Sequence, residues 1–134
     1  MSRHFVVQLE NRPGELAHLA RALAARGVDI QHIAGGGEGT SAFAFLSTDD
    51  EVATRDVLHS MGFSYIDGET LVVEVEDRPG GIAALAESLG AAGVNIRSVM
   101  LIGRARGKAE VAIAVDADAE RVRDILGREH VVAS

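Results

Sequence analysis

Apolar and polar residues alternate near the start of the chain, where Phe5, Val7 and Leu9 interleave with Gln8 and Glu10. The same alternation returns at Leu71, Val73 and Val75 against Glu74 and Glu76. A period of two predicts a strand with one wetter face. After each strand the period lengthens. Leu16, Leu19, Ala20 and Leu23 fall at helical spacing, as do Ile82, Leu85, Ala86 and Leu89, and Gly27 and Gly93 stand where a left-handed residue ends a helix. Strand patterns follow over Val28 to Ile33 and Val94 to Ile102. Glycine-containing turns at Gly35 to Gly39 and Gly103 to Gly107 predict hairpins, with partner strands at Ala42 to Ser47 and Ala109 to Val115. Asp49-Asp50 and Asp116 to Asp118 are acidic helix starts before Val57-Leu58 and Ile125-Leu126, and Phe63 to Ile66 and His130 to Val132 are short closing strands. The pattern therefore predicts βαββαβ written twice, an α+β, ferredoxin-like arrangement of antiparallel sheets with the helices on one face.

The repeat is visible in the letters as well as in the pattern. Glu10-Asn11-Arg12-Pro13-Gly14 returns as Glu76-Asp77-Arg78-Pro79-Gly80, and Gly27-Val28-Asp29-Ile30 as Gly93-Val94-Asn95-Ile96, at a constant spacing of 66. Arg55-Asp56-Val57-Leu58 returns as Arg123-Asp124-Ile125-Leu126 at a spacing of 68, which predicts a hairpin two residues longer in the second copy. Domains of residues 1–67 and 68–134 follow. Each is small for an independent core, so each is expected to bury surface against a neighbour. Val99 and Leu101 lie opposite Ile96, Met100 and Ile102, and Phe43 and Phe45 alternate with Ala42, Ala44 and Leu46, so both faces are apolar and the second-face residues are expected to be covered by the other repeat or another chain.

Composition narrows the function. The chain has 47% apolar and 25% charged residues, no cysteine, and a net charge of -7. Without thiols there are no disulfides, no thiolate catalysis and no cysteine metal site. The negative charge disfavours nonspecific nucleic-acid binding, and no apolar run approaches the length of a membrane span. A cytoplasmic protein is expected, since Met1-Ser2-Arg3-His4 leads straight into a strand pattern.

The candidate chemistry lies at the two repeated turns. A strand, then Asn/Asp-Arg-Pro-Gly, then a helix places free backbone N–H groups at a helix start, where an anion is favoured. Such residues also simply make turns: Asn11 and Asp77 can turn or cap the chain, Pro13 and Pro79 preset φ, and Gly14 and Gly80 relieve crowding. A second polar residue lies 18 positions on, Asp29 after Asn11 and Asn95 after Asp77, at a strand start between apolar neighbours. Each copy holds one amide and one acid, with positions exchanged. An α-amino acid needs a donor for its carboxylate and an acceptor for its ammonium, and this pair offers both.

At these residues the chain resembles the ACT domain family, which combines a turn of this Asn/Asp-x-Pro-Gly type with Gly-Val-Asn-Ile after the first helix. The likeness extends over nearly the whole chain, twice, and is close to the amino-acid-sensing domain attached to phosphoglycerate dehydrogenase. It implies pairing edge to edge through second strands, and an amino acid bound between the turn of one domain and its neighbour. By resemblance the ligand contacts are Asn11 with Asp29 and Asp77 with Asn95, and the candidate ligand-binding set around them is Asn11, Arg12, Pro13, Gly14, Asp29 and Ile30 in the first copy and Asp77, Arg78, Pro79, Gly80, Asn95 and Ile96 in the second. His32 lies beside the first site on the second strand, as a ligand contact or as an ordinary surface histidine. The His found two residues before the turn Asn in the serine-sensing relative is Leu9 or Val75 here. The resemblance further implies a free-standing tandem regulatory protein, a homodimer, with an amino acid ligand and a metabolic enzyme as partner, and with no cofactor, metal or catalytic residue of its own.

Two other classes fit less well. RNA-recognition motifs share the topology and stack bases on aromatic residues. Ala42-Phe43-Ala44-Phe45-Leu46 echoes that pattern, but no Lys/Arg-Gly precedes it and the second copy has Val111-Ala112-Ile113. Arg104, Arg106 and Lys108 read as a solvated hairpin tip. A purely structural oligomerisation domain is the remaining alternative. For an enzyme, no hydrolase elbow or zinc-binding helix is present, and the five histidines show no ligand spacing. Gly35 to Gly39 opens no helix, so it lacks the dipole of a phosphate loop and reads as a flexible hairpin beside the site.

Overall fold

A computed structural model describes residues 2–133, with the side chains of 3–131. The chain divides into two compact units, Arg3–Gly68 and Glu69–Ser134, and the division falls inside one long strand.

In the first unit the order is β1 (Ser2–Glu10), α1 (Glu15–Ala25), β2 (Ile30–Glu38), β3 (Ser41–Thr48), α2 (Glu51–Ser60) and the start of β4 (Tyr65–Glu76). This is the α+β ferredoxin-like βαββαβ pattern with an antiparallel sheet. β3 is central. It pairs with β1 so that Phe5 faces Leu46 and Glu10 faces Ser41, and with β2 so that Ile30 faces Thr48 and Glu38 faces Ser41. The alternation of β1 puts Phe5, Val7 and Leu9 on one face, where they meet Leu19 and Leu23 of α1 and Val57 and Leu58 of α2. Leu16, the first of the helical set, is instead exposed, because it lies beyond the reach of that core. Asp50 caps α2 by accepting from the Ala53 N–H at 3.0 Å, as the acidic start predicts.

The second unit contains the rest of β4, then α3 (Gly81–Ala91), β5 (Ile96–Ala105), β6 (Lys108–Val115), α4 (Ala119–Leu126), a 3-10 turn at Arg128–His130 and β7 (Val131–Ala133). β6 is central, with Glu76 facing Lys108 across β4 and Ala105 facing Lys108 across β5, while β7 pairs with β4 at Val73 and Val131. Leu71, Val73, Val111 and Ile113 form a core with Leu85, Leu89 and Val122. Among the described residues β2 and β5 each pair on one side only. No helix among the described residues is long and apolar enough to cross a membrane.

Several boundaries differ from the sequence reading. Gly35 to Gly37 are not a turn but part of β2, paired in register with β3, and the reversal is Gly39-Thr40. Likewise Gly103 lies in β5 and the second reversal is Arg106-Gly107. The two extra residues of the second copy are not both in the hairpin. One is absorbed by an irregularity of β5 between Leu101 and Gly103, and the other lengthens the link from Val115 to Ala119. The expected strand at Phe63 begins at Tyr65 and runs on through Glu76, and His130 belongs to the 3-10 turn.

Candidate functional site

Each turn is fixed by its own backbone before any ligand is considered. Arg12 N–H donates to Glu10 O at 3.0 Å, and Gly14 then enters the left-handed region at φ 87° and heads α1 with no side-chain cap. Gly80 does the same for α3 at φ 92°. Asn11 therefore caps nothing. Its side chain crosses to the β2–β3 hairpin, where Nδ2 donates to Gly39 O at 3.0 Å and its backbone N–H to Thr40 O at 3.1 Å. Arg12 is held between Glu10 and Glu15, each at 2.9 Å, and the hydrogen bond to Glu15 with the charge of Glu10 raises its pKa further.

A groove of about 420 Å³ opens beside this turn, between the start of α1 and the edge strand β2. Leu9, Asn11, Leu16, Ile33 and the Gly35–Gly37 stretch line it. The glycines thus form the wall of the groove as part of β2, and not the hairpin turn expected from the sequence. Leu16 and Ile33 are about half exposed, which gives the groove an apolar rim.

The second turn repeats the geometry with different chemistry. Asp77 N–H donates to Gly107 O at 2.9 Å, and the Asp77 carboxylate accepts from Arg104 Nε at 3.1 Å. Two of the three hairpin cations are thereby engaged, because Lys108 likewise pairs with Glu76. Hydrogen bonding to Lys108 and its charge hold the Glu76 carboxyl below the ordinary glutamate range. Exchange of Asn for Asp has a local reason: Asn11 meets a carbonyl and must donate, whereas Asp77 meets a guanidinium and must accept.

The residues 18 positions on do not join these turns within a unit. Asp29 lies at the opposite end of β3, where its N–H donates to Asp49 Oδ1 at 2.9 Å and its carbonyl accepts from Asp49 N–H at 3.1 Å. Ser41 beside the turn and Thr48 beside Asp29 are separated by about 23 Å of strand. Ile30 and His32 stand at this far end too, with His32 Nδ1 2.8 Å from Ser47 Oγ. In the second unit Asn95 and Ile96 are likewise remote from Asp77, and Asn95 Nδ2 donates to Asp116 Oδ2 at 3.2 Å. Asp116 also pairs with Arg97 at 2.8 Å. Of the four polar residues, three therefore have side chains engaged within their own unit. The Asp29 carboxylate has no hydrogen-bonding or ionic partner among the described residues.

Sequence reasoning missed the lining residues Leu16 and Ile33, and it placed Gly35 to Gly37 beside the site as a hairpin turn and not as strand. The signal was the apolar helix position closest to the turn. Of the aromatic pair, Phe45 is buried against His4, their rings 4.7 Å apart, so only Phe43 presents a ring to solvent, at 51% exposure. Among the described residues no group of three or more His, Asp and Glu could hold a metal ion.

Residues 4–57 match the ACT domain family. Among solved structures, protein BT0572 from Bacteroides thetaiotaomicron has the same fold at TM-score 0.78 and 17% identity, covering 98% of this chain and 92% of its own. The regulatory subunit of aspartate kinase from Thermus thermophilus, in a ligand-free form, aligns at TM-score 0.61 and 19% identity, covering 93% and 87%. That from Thermus flavus aligns at 0.63 and 21%, covering 94% and 89%. No curated protein matches the chain by sequence.

Proposed function

We propose that the chain is a non-enzymatic regulatory protein of two ACT domains in tandem, residues 1–67 and 68–134. In this reading it acts as a homodimer in the cytoplasm, binds an amino acid where the turn of one copy meets the strand start of a second copy, and adjusts a metabolic enzyme. The observation that carries the reading is the partnerless Asp29 carboxylate at one end of β2, with the groove beside Asn11 at the other end. The outer side of β2 is unpaired among the described residues. Adding the β2 of a second copy in antiparallel sense would set the Asp29 end of one strand beside the Gly37 end of the other.

Asp29 would then accept from the ligand ammonium. Uncapped N–H groups at the start of α1 would hold the carboxylate, and Leu16 and Ile33 would cover the side chain. The match over residues 4–57 supports the regulatory class, and the likeness to aspartate kinase regulatory subunits supports an enzyme partner. The resemblance to the sensing domain of phosphoglycerate dehydrogenase points to the same end of the turn, with the serine contact missing at Leu9. The two units would be unequal, because Asn95 and Asp77 are already engaged.

A thermal-shift panel of the twenty amino acids tests the reading. At 100 times its Kd a ligand should add about 2.7 kcal/mol. The response should disappear in Asp29→Ala and in Asn11→Ala. Silence toward all twenty, or an undiminished response in both variants, would overturn it.

A further inference from the structure

The second unit holds a groove that the first unit has filled. In the first unit His18 of α1 and Phe63, just before β4, bring their rings to 6.3 Å, and Phe63 packs on the core. Beneath them Val57 and Leu58 are 4% and 0% exposed. In the second unit Ala84 stands at the position of His18, and the residues leading into β7 are Arg128, Glu129 and His130, none of them apolar. The counterparts of Val57 and Leu58, namely Ile125 and Leu126, are accordingly only partly buried. A groove of about 430 Å³ results, with Leu85, Ile125 and Leu126 as its floor and Ala84 and Ser88 along its side. That volume suits a small metabolite.

One end of this groove carries Arg78, whose charge reaches Glu76 but which forms no ion pair among the described residues. Arg12 in the first unit is flanked by Glu10 and Glu15. At the corresponding places around Arg78, Glu76 is held by Lys108, and Gly81 replaces Glu15. Among the described residues no carboxylate lies within ion-pair distance of Arg78. His130, which also lines the groove, is 3.4 Å from Glu129. Glu74 and Glu76 also line the groove, Glu76 being engaged by Lys108. An apolar trough left open by the lack of two rings, ending at a guanidinium that makes no ion pair, complements a molecule with an apolar body and a carboxylate.

We propose that the groove between α3, α4 and the Arg78 turn binds a small carboxylic acid bearing an aromatic or branched apolar group, its carboxylate on Arg78 and its apolar part on Ile125 and Leu126. The site lies on the helix side of the turn. It needs no second copy and no ammonium contact, so it stands apart from the amino-acid site proposed above.

The probe is 3-phenylpropanoate, titrated into the intact chain and followed by backbone amide shifts in two-dimensional NMR. Saturable shifts at Gly80, Ala84 and Ser88 are expected. Affinity should fall roughly ten- to a hundredfold in Arg78→Gln, the loss of a charge-assisted contact, and Ala84→Phe, which refills the trough, should abolish the shifts. Asn11→Ala should leave them unchanged, which separates this site from the first. Arg78 is exposed, so a folded Arg78→Gln protein is secured even where Ala84→Phe fails to fold. Absence of saturation at 10 mM probe (about 2.7 kcal/mol of binding at that Kd), equal shifts for 3-phenylpropanol, or undiminished affinity in Arg78→Gln would overturn the proposal.

Discussion

A Cβ atom placed on Gly37 would stand 2.8 Å from Asn11 Oδ1, so the turn after β1 and the edge strand β2 touch through an amide and a glycine. Gly37→Ala must push the Asn11 side chain off its bond to Gly39 O or bend β2 outward. The expected cost is about 1–3 kcal/mol, typical of overpacking. Asn11→Ala in the same molecule should recover part of it, giving a non-additive cycle in urea denaturation. Strict additivity would show that the two residues do not meet.

Gly81 is confined more severely, because its Cβ would lie 2.1 Å from the backbone oxygen of Glu76. No side-chain rotation relieves that contact. Gly81→Ala should therefore destabilise the chain more than Gly37→Ala. Gly90, inside α3 with open space around it, provides the contrast. Gly90→Ala should stabilise by up to about 1 kcal/mol through helix propensity. Thermal denaturation of the two variants should move in opposite directions.

Asp50 heads α2 with a carboxylate that accepts from Ala53 N–H, and Asp118 heads α4 by accepting from Arg121 N–H at 2.8 Å. Removing either cap should cost about 1 kcal/mol, whereas Asp→Asn should cost much less because the acceptor oxygen remains. Chemical denaturation of Asp50→Ala and Asp50→Asn compares the two directly. Equal losses would argue against capping.

Glu76 is held below the ordinary glutamate range by the hydrogen bond and charge of Lys108. A depressed folded-state pKa means that the pair stabilises above the unfolded value, and that this contribution is lost as pH falls through the folded pKa. Being solvent-exposed, the pair should contribute little at physiological ionic strength. Lys108→Met should raise the Glu76 midpoint toward the usual carboxylate value in an NMR titration of its side-chain carboxyl. A midpoint that stays put would show that Lys108 does not govern it.

Local patterns carried much of the architecture. The alternation of Phe5, Val7 and Leu9 chose the buried face of β1, and the spacing of Leu19 and Leu23 chose the buried stripe of α1, because period alone decides which side chains share a face. The acidic residues before α2 and α4 were readable as caps for the same reason: their partners lie three residues away. Gly35 to Gly37 misled the reading, since a glycine run has the composition of a turn. Its place in a strand depends on Asn11 and β3, which are distant in sequence.

The meeting of Asn11 with Gly39, of Asp77 with Arg104 and of Asn95 with Asp116 was set by strand register, a property of the folded sheet. So was the separation of Asn11 from Asp29. The helix between them, 11 residues and about 16 Å long, carries the chain back to the other end of the sheet. Sequence determined which residues make strands, helices and turns, because those choices depend on neighbours within a few positions. Only the tertiary structure decided which polar groups are engaged and which stand open, because hydrogen bonding across a sheet depends on register between segments that the sequence does not place side by side.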